Sequence, residues 1–308
     1  MHEILRSRPR YRSMRIAATL PYYIYSAKLA SKQLTETPTT PPTTPSAETP
    51  VHYDSTAAAV RALLADADPR VIAFGEFHPC TDPPAYTTAK AYFAEEVLPA
   101  LKDEGIMDLI VEQILNDPAI IAELDAFYND STLAISQTTT PTLWRTFEFY
   151  IDRQDLISLL NKARELGIRV HPGGMTLAQA AETIHNPRYN HSTELHLRAW
   201  DYTDAAGRAA VDRFLEGTGR VAIYNGAKHH NLISPRILEN EGGTNYGEYL
   251  SQRLGQDYME VELYPVDGLR ALTPFSQEYH GVPNLQELIP ETGVNLLDRG
   301  QSHILLIR

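Results

Sequence analysis

The stretch VIAFGEFHPC, residues 71–80, decides the expected fold class. It opens with four apolar residues, and Gly75 then allows the backbone to turn tightly. A second stretch, VAIYNGAKHHN at residues 221–231, has the same form, with an apolar run before Gly226 and two adjacent histidines. Short, continuously apolar runs are typical of strands buried on both faces, which occur in parallel sheets covered by helices. The two stretches therefore predict strands of one parallel sheet.

Helical patterns alternate with further strands along the chain. We predict helices over residues 56–67, 87–105, 149–167 and 205–217, and strands over residues 71–74, 107–111, 168–170 and 220–224. Residues 258–264, YMEVELY, alternate apolar and acidic side chains and predict a half-exposed edge strand. Residues 303–308, HILLIR, are continuously apolar and predict a last internal strand. The expected fold class is α/β, with a mainly parallel central sheet flanked by helices.

The first 50 residues differ in composition from the rest of the chain. Residues 1–16 carry five arginines before a moderately apolar segment, a weak form of the signal-peptide pattern. Residues 34–50 consist almost entirely of Thr and Pro, which cannot bury a core and favour an extended linker. We expect a disordered N-terminal arm and linker over residues 1–50 and one folded domain over residues 51–308. Both a cytoplasmic location and export to the cell envelope stay open.

Composition excludes several classes of protein. The net charge of −12 argues against a nucleic-acid partner, because phosphate binding needs clustered Lys and Arg. The single cysteine, Cys80, rules out an intrachain disulfide and a cysteine-rich zinc site. No apolar run approaches the roughly 18 residues that a transmembrane helix requires. The composition leaves the oligomeric state open.

Ionisable side chains follow several of the predicted strands. Glu76 and His78 lie two apart on an extended segment, so their side chains face the same way. Glu112 closes the strand over residues 107–111, and His229 follows the strand over residues 220–224. Ligands of open parallel sheets bind in the crevice at the carboxyl ends of the strands. These four side chains could hold a divalent metal, perform acid–base chemistry or orient one another's protons.

Five further residues lie close to the same predicted crevice. Tyr224, Asn225 and His230 flank Gly226 and could line a pocket for a cofactor or substrate. His171 is expected to end another strand, and Cys80 could act as a nucleophile with a histidine base. The roles of His171, Cys80 and His230 stay open, because a strand-end position accounts for His171 and buried single cysteines are usually inert packing.

The order of these motifs resembles one protein superfamily. GEFH at residues 75–78, LIVE at residues 109–112 and GAKH at residues 226–229 are similar to motifs of the ChaN, TraB, Tiki and erythromycin esterase superfamily. The resemblance spans roughly residues 55–265, and the ChaN-like branch fits best in length. It implies that the active residues are Glu76, His78, Glu112 and His229. Pro79 departs from the motif of the relatives, and the N-terminal region has no cysteine that could accept a lipid.

The resemblance and the residues together lead us to expect a hydrolase of ester or peptide bonds, acting on a small-molecule or peptide substrate. In one version His78, Glu112 and His229 hold a divalent metal ion that lowers the pKa of a bound water, and Glu76 accepts its proton. In a metal-free version a histidine activates the water, and a glutamate fixes the tautomer of that histidine. The alternative is a haem- or metal-binding protein that uses the same crevice. A fold that has lost its chemistry is a third reading.

A helical segment over residues 186–204 is expected to cover the crevice. It contains Arg188, His191, His196 and Arg198, which suggest a polar or anionic ligand.

Overall fold

The computed structural model describes residues 49–76, 87–147, 152–189, 192–217, 219–226, 232, 245–267 and 285–308. Most of the predicted N-terminal arm lies outside this part of the chain, so its disorder and the domain boundary at residue 51 stay predictions. Within the described ranges, no helix combines the length and the apolar character needed to cross a membrane.

Eight strands form one sheet in the described part of the chain. They are β1 (Val51–Tyr53), β2 (Val71–Glu76), β3 (Asp108–Leu115), β4 (Arg169–Gly174), β5 (Val221–Gly226), β6 (Tyr258–Pro265), β7 (Val294–Asp298) and β8 (Ser302–Ile307). Their order across the sheet is β1-β7-β8-β6-β2-β5-β3-β4. Neighbours from β8 to β4 pair in parallel, whereas β7 is antiparallel to both β8 and β1. The predicted mainly parallel α/β sheet, with β8 as an internal strand, is confirmed.

Helices alternate with these strands along the chain. They are α1 (Thr56–Ala67), α2 (Ala89–Tyr92), α3 (Leu98–Asp103), α4 (Pro118–Asn129), α5 (Pro141–Phe147), α6 (Arg153–Leu166), α7 (Leu177–Glu182), α8 (Thr193–Leu215) and α9 (Tyr246–Leu254). A π-helical turn, Phe93–Val97, joins α2 to α3, so the predicted helix over residues 87–105 is continuous but not uniform. Gly167 ends α6 in the left-handed conformation, at φ 76°, as the sequence predicts.

Side chains of the sheet divide between two faces, following the two-residue period of a strand. Ile72 and Phe74 of β2 belong to the larger apolar core, which lies against α1, α3 and α6. Val71 and Ala73 belong to a smaller core against α8 and α9. We call the side of the sheet that carries Phe74 the first face and the side that carries Ala73 the second face. This division determines which side chains of the strand ends can meet.

The strand over residues 258–264 is not a half-exposed edge strand, and that prediction was wrong. β6 lies between β8 and β2, and all eight of its residues are buried. Its acidic side chains have partners: the amide of Leu232 donates to Glu260 at 3.1 Å, and the hydroxyl of Tyr264 donates to Glu262 at 2.5 Å. Alternation of apolar and acidic residues here reflects paired buried acids and not exposure to water.

Three elements extend beyond their predicted ends. β3 continues through Glu112 to Leu115, α8 begins at Thr193, and β4 continues to Gly174. The last extension depends on close approach of two backbones, since a Cβ atom at Gly174 would lie 2.3 Å from the carbonyl oxygen of Glu112. Glycine is thus required where the end of β4 passes the irregular, bulged end of β3.

Candidate functional site

Glu76 is the last residue of β2, and its carboxylate is buried on the first face of the sheet. Tyr224 on β5 donates to Oε2 at 2.5 Å, and Gln113 on β3 donates to Oε1 at 2.8 Å. The ammonium of Lys90 on α2 lies 3.3 Å from Oε1. A buried carboxylate is costly unless it is paired and hydrogen-bonded, and donors from three separate elements meet that requirement.

Lys90 is fully buried between two carboxylates. Its Nζ pairs with Asp152, which immediately precedes α6, as well as with Glu76. Burial lowers the pKa of Lys90, but the charges of Glu76 and Asp152 outweigh this effect and raise the pKa to about 12. The side chain is therefore an ammonium at neutral pH. This charge excludes Lys90 as an amine nucleophile.

Tyr224 contributes a hydroxyl that stays protonated. Burial raises its pKa well above 10.0, and the negative charge of Glu76 raises it further. Its ring packs against Phe93 of the π-helical turn, with the centroids 4.4 Å apart. The hydroxyl therefore serves as a fixed donor to Glu76. The predicted contact of Tyr224 with a cofactor stays a prediction.

Glu112 approaches the end of β5 from the other side. On β3 it shares the parity of Ile110, which belongs to the second face, and its Oε2 accepts from the backbone amide of Gly226 at 2.7 Å. Gly226 is also the Cα partner of Glu76 across the parallel pair of β2 and β5. The two acids therefore belong to opposite faces but meet the sheet at the same strand end.

Asn225 links this strand end to α9. It is fully buried, and its amide donates to the hydroxyl of Tyr246, the first residue of that helix. Burial raises the pKa of Tyr246 well above 10.0, and the charge of Glu112 acts in the same direction. Asn225 thus has a structural partner in the second face, and its predicted contact with a cofactor stays a prediction.

His78, His229, His230 and Cys80 lie outside the described residues. Among the residues that are described, no group of three His, Cys, Asp or Glu side chains is placed to hold a metal ion. Two of the three predicted metal ligands, His78 and His229, belong to the chain outside that part. The metal site and the haem-binding alternative therefore stay predictions.

His171 does not end a strand, and that expectation was wrong. It lies within β4 opposite Ile110, and its Nε2 is 2.7 Å from Oδ1 of Asp108, the first residue of β3. Burial lowers the pKa of His171, and Asp108 offsets this only in part. The ring packs edge-on against Phe214 of α8 with the centroids 4.7 Å apart. His171 is level with Ala73 in the middle of the sheet, and its ring contacts Asp108 at the amino end of β3, away from Glu76.

The helical segment that was expected to cover the crevice contains an arginine that is already paired with acidic side chains. Arg198 of α8 pairs with Glu182 at the end of α7 and, at 2.6 Å, with Glu194. The ring of His196 lies against that of Tyr189, with the centroids 4.0 Å apart. Two acids therefore already neutralise Arg198, which weakens the case for an anionic ligand there.

Sequence reasoning missed three residues of the Glu76 cluster: Lys90, Gln113 and Asp152. A signal for Lys90 was present, because it shares a helical stripe with Phe93 and Val97, three and seven residues further on. A lysine within an apolar stripe indicates a buried cation with acidic partners. Gln113 and Asp152 carry no comparable signal, since isolated polar residues at element ends are common.

No family model matches the sequence, and no curated protein matches it. Solved structures with some likeness include RRSP, a MARTX toxin effector domain from Vibrio vulnificus CMCP6, at 17% identity and a TM-score of 0.45 over 68% of this chain and 37% of that one. The type III effector HopBA1 is 14% identical, with a TM-score of 0.39 over 70% of this chain and 86% of that one.

A Bacillus cereus protein is 12% identical, with a TM-score of 0.49 over 82% of this chain and 83% of that chain. The present chain spans little more than a third of the RRSP structure. None of these structures is named as a ChaN, Tiki or erythromycin esterase protein, so the resemblance to that superfamily stays a prediction. Likenesses at this level carry no argument about activity.

Proposed function

We propose that this chain is a hydrolase that activates water with an imidazole at the carboxyl ends of β2, β3 and β5. The observation that carries the proposal is the meeting of Glu76 and Glu112 at one strand end: Tyr224 and Gly226 of β5 donate to the two carboxylates at 2.5 and 2.7 Å. β2, β5 and β3 are adjacent in the sheet, and this rim is where parallel sheets bind ligands.

Chain length supports the approach of the two histidines to this rim. Gly226 ends β5, and Leu232 donates to Glu260 of β6, so the two residues are anchored on either side of β2. His229 is three residues from each anchor, and His78 is two residues from Glu76. Three residues of extended chain span at most roughly 11 Å, and two span roughly 7 Å. Both imidazoles can therefore reach the end of β2.

The donors around Glu76 favour one of the two expected mechanisms. A carboxylate that faces the ammonium of Lys90 at 3.3 Å is a weak proton acceptor, because proton uptake would break up a charge pair. Glu76 is better suited to stabilise and orient an imidazolium. In the proposed reaction His78 or His229 removes the proton of the attacking water. Glu76 and Glu112 keep that imidazole in position.

A divalent metal ion would be held by His78, Glu112 and His229. Glu112 fits such a role, since the Gly226 amide fixes its carboxylate by one oxygen. The ion would supply a bound water of lowered pKa. In that case the two imidazoles would be ligands of the ion and not the base, and the orientation of Glu76 by its donors would be the same.

The test is hydrolysis of a panel of p-nitrophenyl esters and fluorogenic peptides by the wild-type protein and by His78→Ala and His229→Ala. Loss of the general base lowers turnover by about 10² to 10⁴-fold. His171→Ala is the matched control, because His171 pairs with Asp108 away from this rim, and it keeps wild-type turnover. Metal content of each purified protein is measured in parallel. Equal turnover and metal content in all four proteins would refute the proposed function.

A further inference from the structure

Lys90 occupies an unusual position for a lysine. Its side chain is 0% exposed and lies on the face of the helix that also carries Phe93. Both of its charge partners, Glu76 and Asp152, are also buried. Removing three charges from water is costly, and well-packed apolar side chains of similar volume are often at least as stable as a buried ion pair. Stability alone therefore gives no reason for a lysine at this position.

The contacts of Lys90 fix its ammonium from two directions. Asp152 pairs with Nζ, and Asp155 one turn into α6 accepts from the hydroxyl of Thr88 at 2.7 Å. Thr88 in turn caps α2 by accepting from the amide of Ala91. Residues at the start of α6 thus contact both the first turn of α2 and the ammonium of Lys90.

The ammonium in turn fixes the orientation of Glu76. Oε1 accepts a hydrogen bond from the side-chain amide of Gln113 and faces Lys90, while Oε2 accepts one from the hydroxyl of Tyr224. Donors on both oxygens determine the plane of the carboxylate, and the nearby ammonium strengthens this arrangement. A carboxylate held in this way can orient a neighbouring group with little loss of rotamer freedom.

We propose that Lys90 is a positioning residue of the hydrolase: it acts through Glu76, whose carboxylate it helps to hold in a fixed plane at the strand end where the proposed base acts. This assignment rests on the proposed function. Asp152 contributes to the same positioning, because it pairs with the ammonium of Lys90 and fixes its location.

The test removes the lysine without changing the net charge of the cluster. In the double variant Lys90→Met/Asp152→Leu, one cation and one anion are lost together, so the fold is retained as judged by circular dichroism and a urea titration. Glu76 keeps Tyr224 and Gln113 but loses the ammonium. We expect kcat to fall on the order of 10²-fold, as for a misplaced catalytic group, while KM stays unchanged because no substrate contact is lost.

Two comparisons make the outcome decisive. The control Arg61→Met/Asp103→Leu removes an exposed ion pair of α1 and α3 and keeps wild-type kcat. An unchanged kcat in a folded Lys90→Met/Asp152→Leu protein overturns the assignment, and so does a change in KM alone. Both results leave the proposed function standing if His78→Ala is inactive. Absence of turnover by the wild-type protein overturns the proposed function and this assignment together.

Discussion

Two buried tyrosine–glutamate pairs in this sheet have hydrogen bonds of the same length and different surroundings. Tyr224 donates to Glu76 and Tyr264 donates to Glu262, each at 2.5 Å. In both tyrosines burial raises the pKa well above 10.0, and the neighbouring glutamate adds to the effect. Beside Glu76, however, lies the ammonium of Lys90, whereas Glu262 shares its strand with a second buried acid, Glu260.

The difference between the two clusters lies in their charge. Burial and then the charge of Glu262 raise the pKa of Glu260 well above 4.5, and the more distant Arg299 offsets this only in part. The β6 cluster therefore favours a bound proton, while the Glu76 cluster favours an ionised carboxylate held by a cation. A fixed charge at a strand end suits the proposed catalysis, and a buried acid that accepts from a backbone amide in the middle of β6 suits a polar core.

Lys90→Met gives the largest expected effect and tests the charge balance directly. It leaves Glu76 and Asp152 buried without their cation, which lowers the free energy of unfolding by about 3 to 5 kcal/mol. Urea titration at pH 7 measures the loss. Lys102→Met, at an exposed position of α3, is the control and changes stability by less than about 0.5 kcal/mol. Equal stability of the two variants would show that the ammonium does not balance the two acids.

Tyr224→Phe and Tyr264→Phe compare the two hydrogen bonds at matched burial. Removing a donor to a charged group costs about 1.5 to 3 kcal/mol, which we expect for Tyr224 because Lys90 keeps Glu76 ionised. The charge of Glu262 likewise raises the pKa of Tyr264, so we expect a loss in the same range for Tyr264→Phe. Thermal and urea unfolding of both variants measure the two losses. A loss below about 0.5 kcal/mol in either variant would show that its glutamate does not depend on the tyrosine donor.

The sheet could be predicted because its strands are short, apolar and separated by helices with clear stop signals such as Gly167. β6 was misread because alternation of acidic and apolar residues is the same for an exposed strand as for one whose acids are paired inside the protein. The pairing of Glu260 with the amide of Leu232 is a contact between distant segments, and local pattern carries no information about it.

The candidate site could be predicted only as a set of strand ends. Glu76 and Glu112 follow from the rule that parallel strands present their carboxyl ends at one rim. The position of Lys90 beside Glu76 depends on which face of the sheet α2 covers, and that of Gln113 depends on the irregular end of β3. Composition determines neither. His171 shows the reverse error, since a strand that continues through Pro172 and two glycines is not expected from propensity alone.

Glu260→Gln is expected to have the smallest effect on stability at pH 4 and to change the pH dependence of stability above it. The carboxyl of Glu260 has a folded-state pKa above its ordinary value of 4.5, so the folded protein binds more protons than the unfolded chain between those two values. Stability therefore falls as pH rises through this window, by at most about 1.4 kcal/mol per pH unit. Glutamine accepts from the amide of Leu232 without titrating, so the variant loses this slope while its stability at pH 4 is close to wild type. Urea midpoints measured from pH 4 to pH 8 test this, and an identical slope in both proteins would show that the β6 cluster holds its acids ionised, as the Glu76 cluster does.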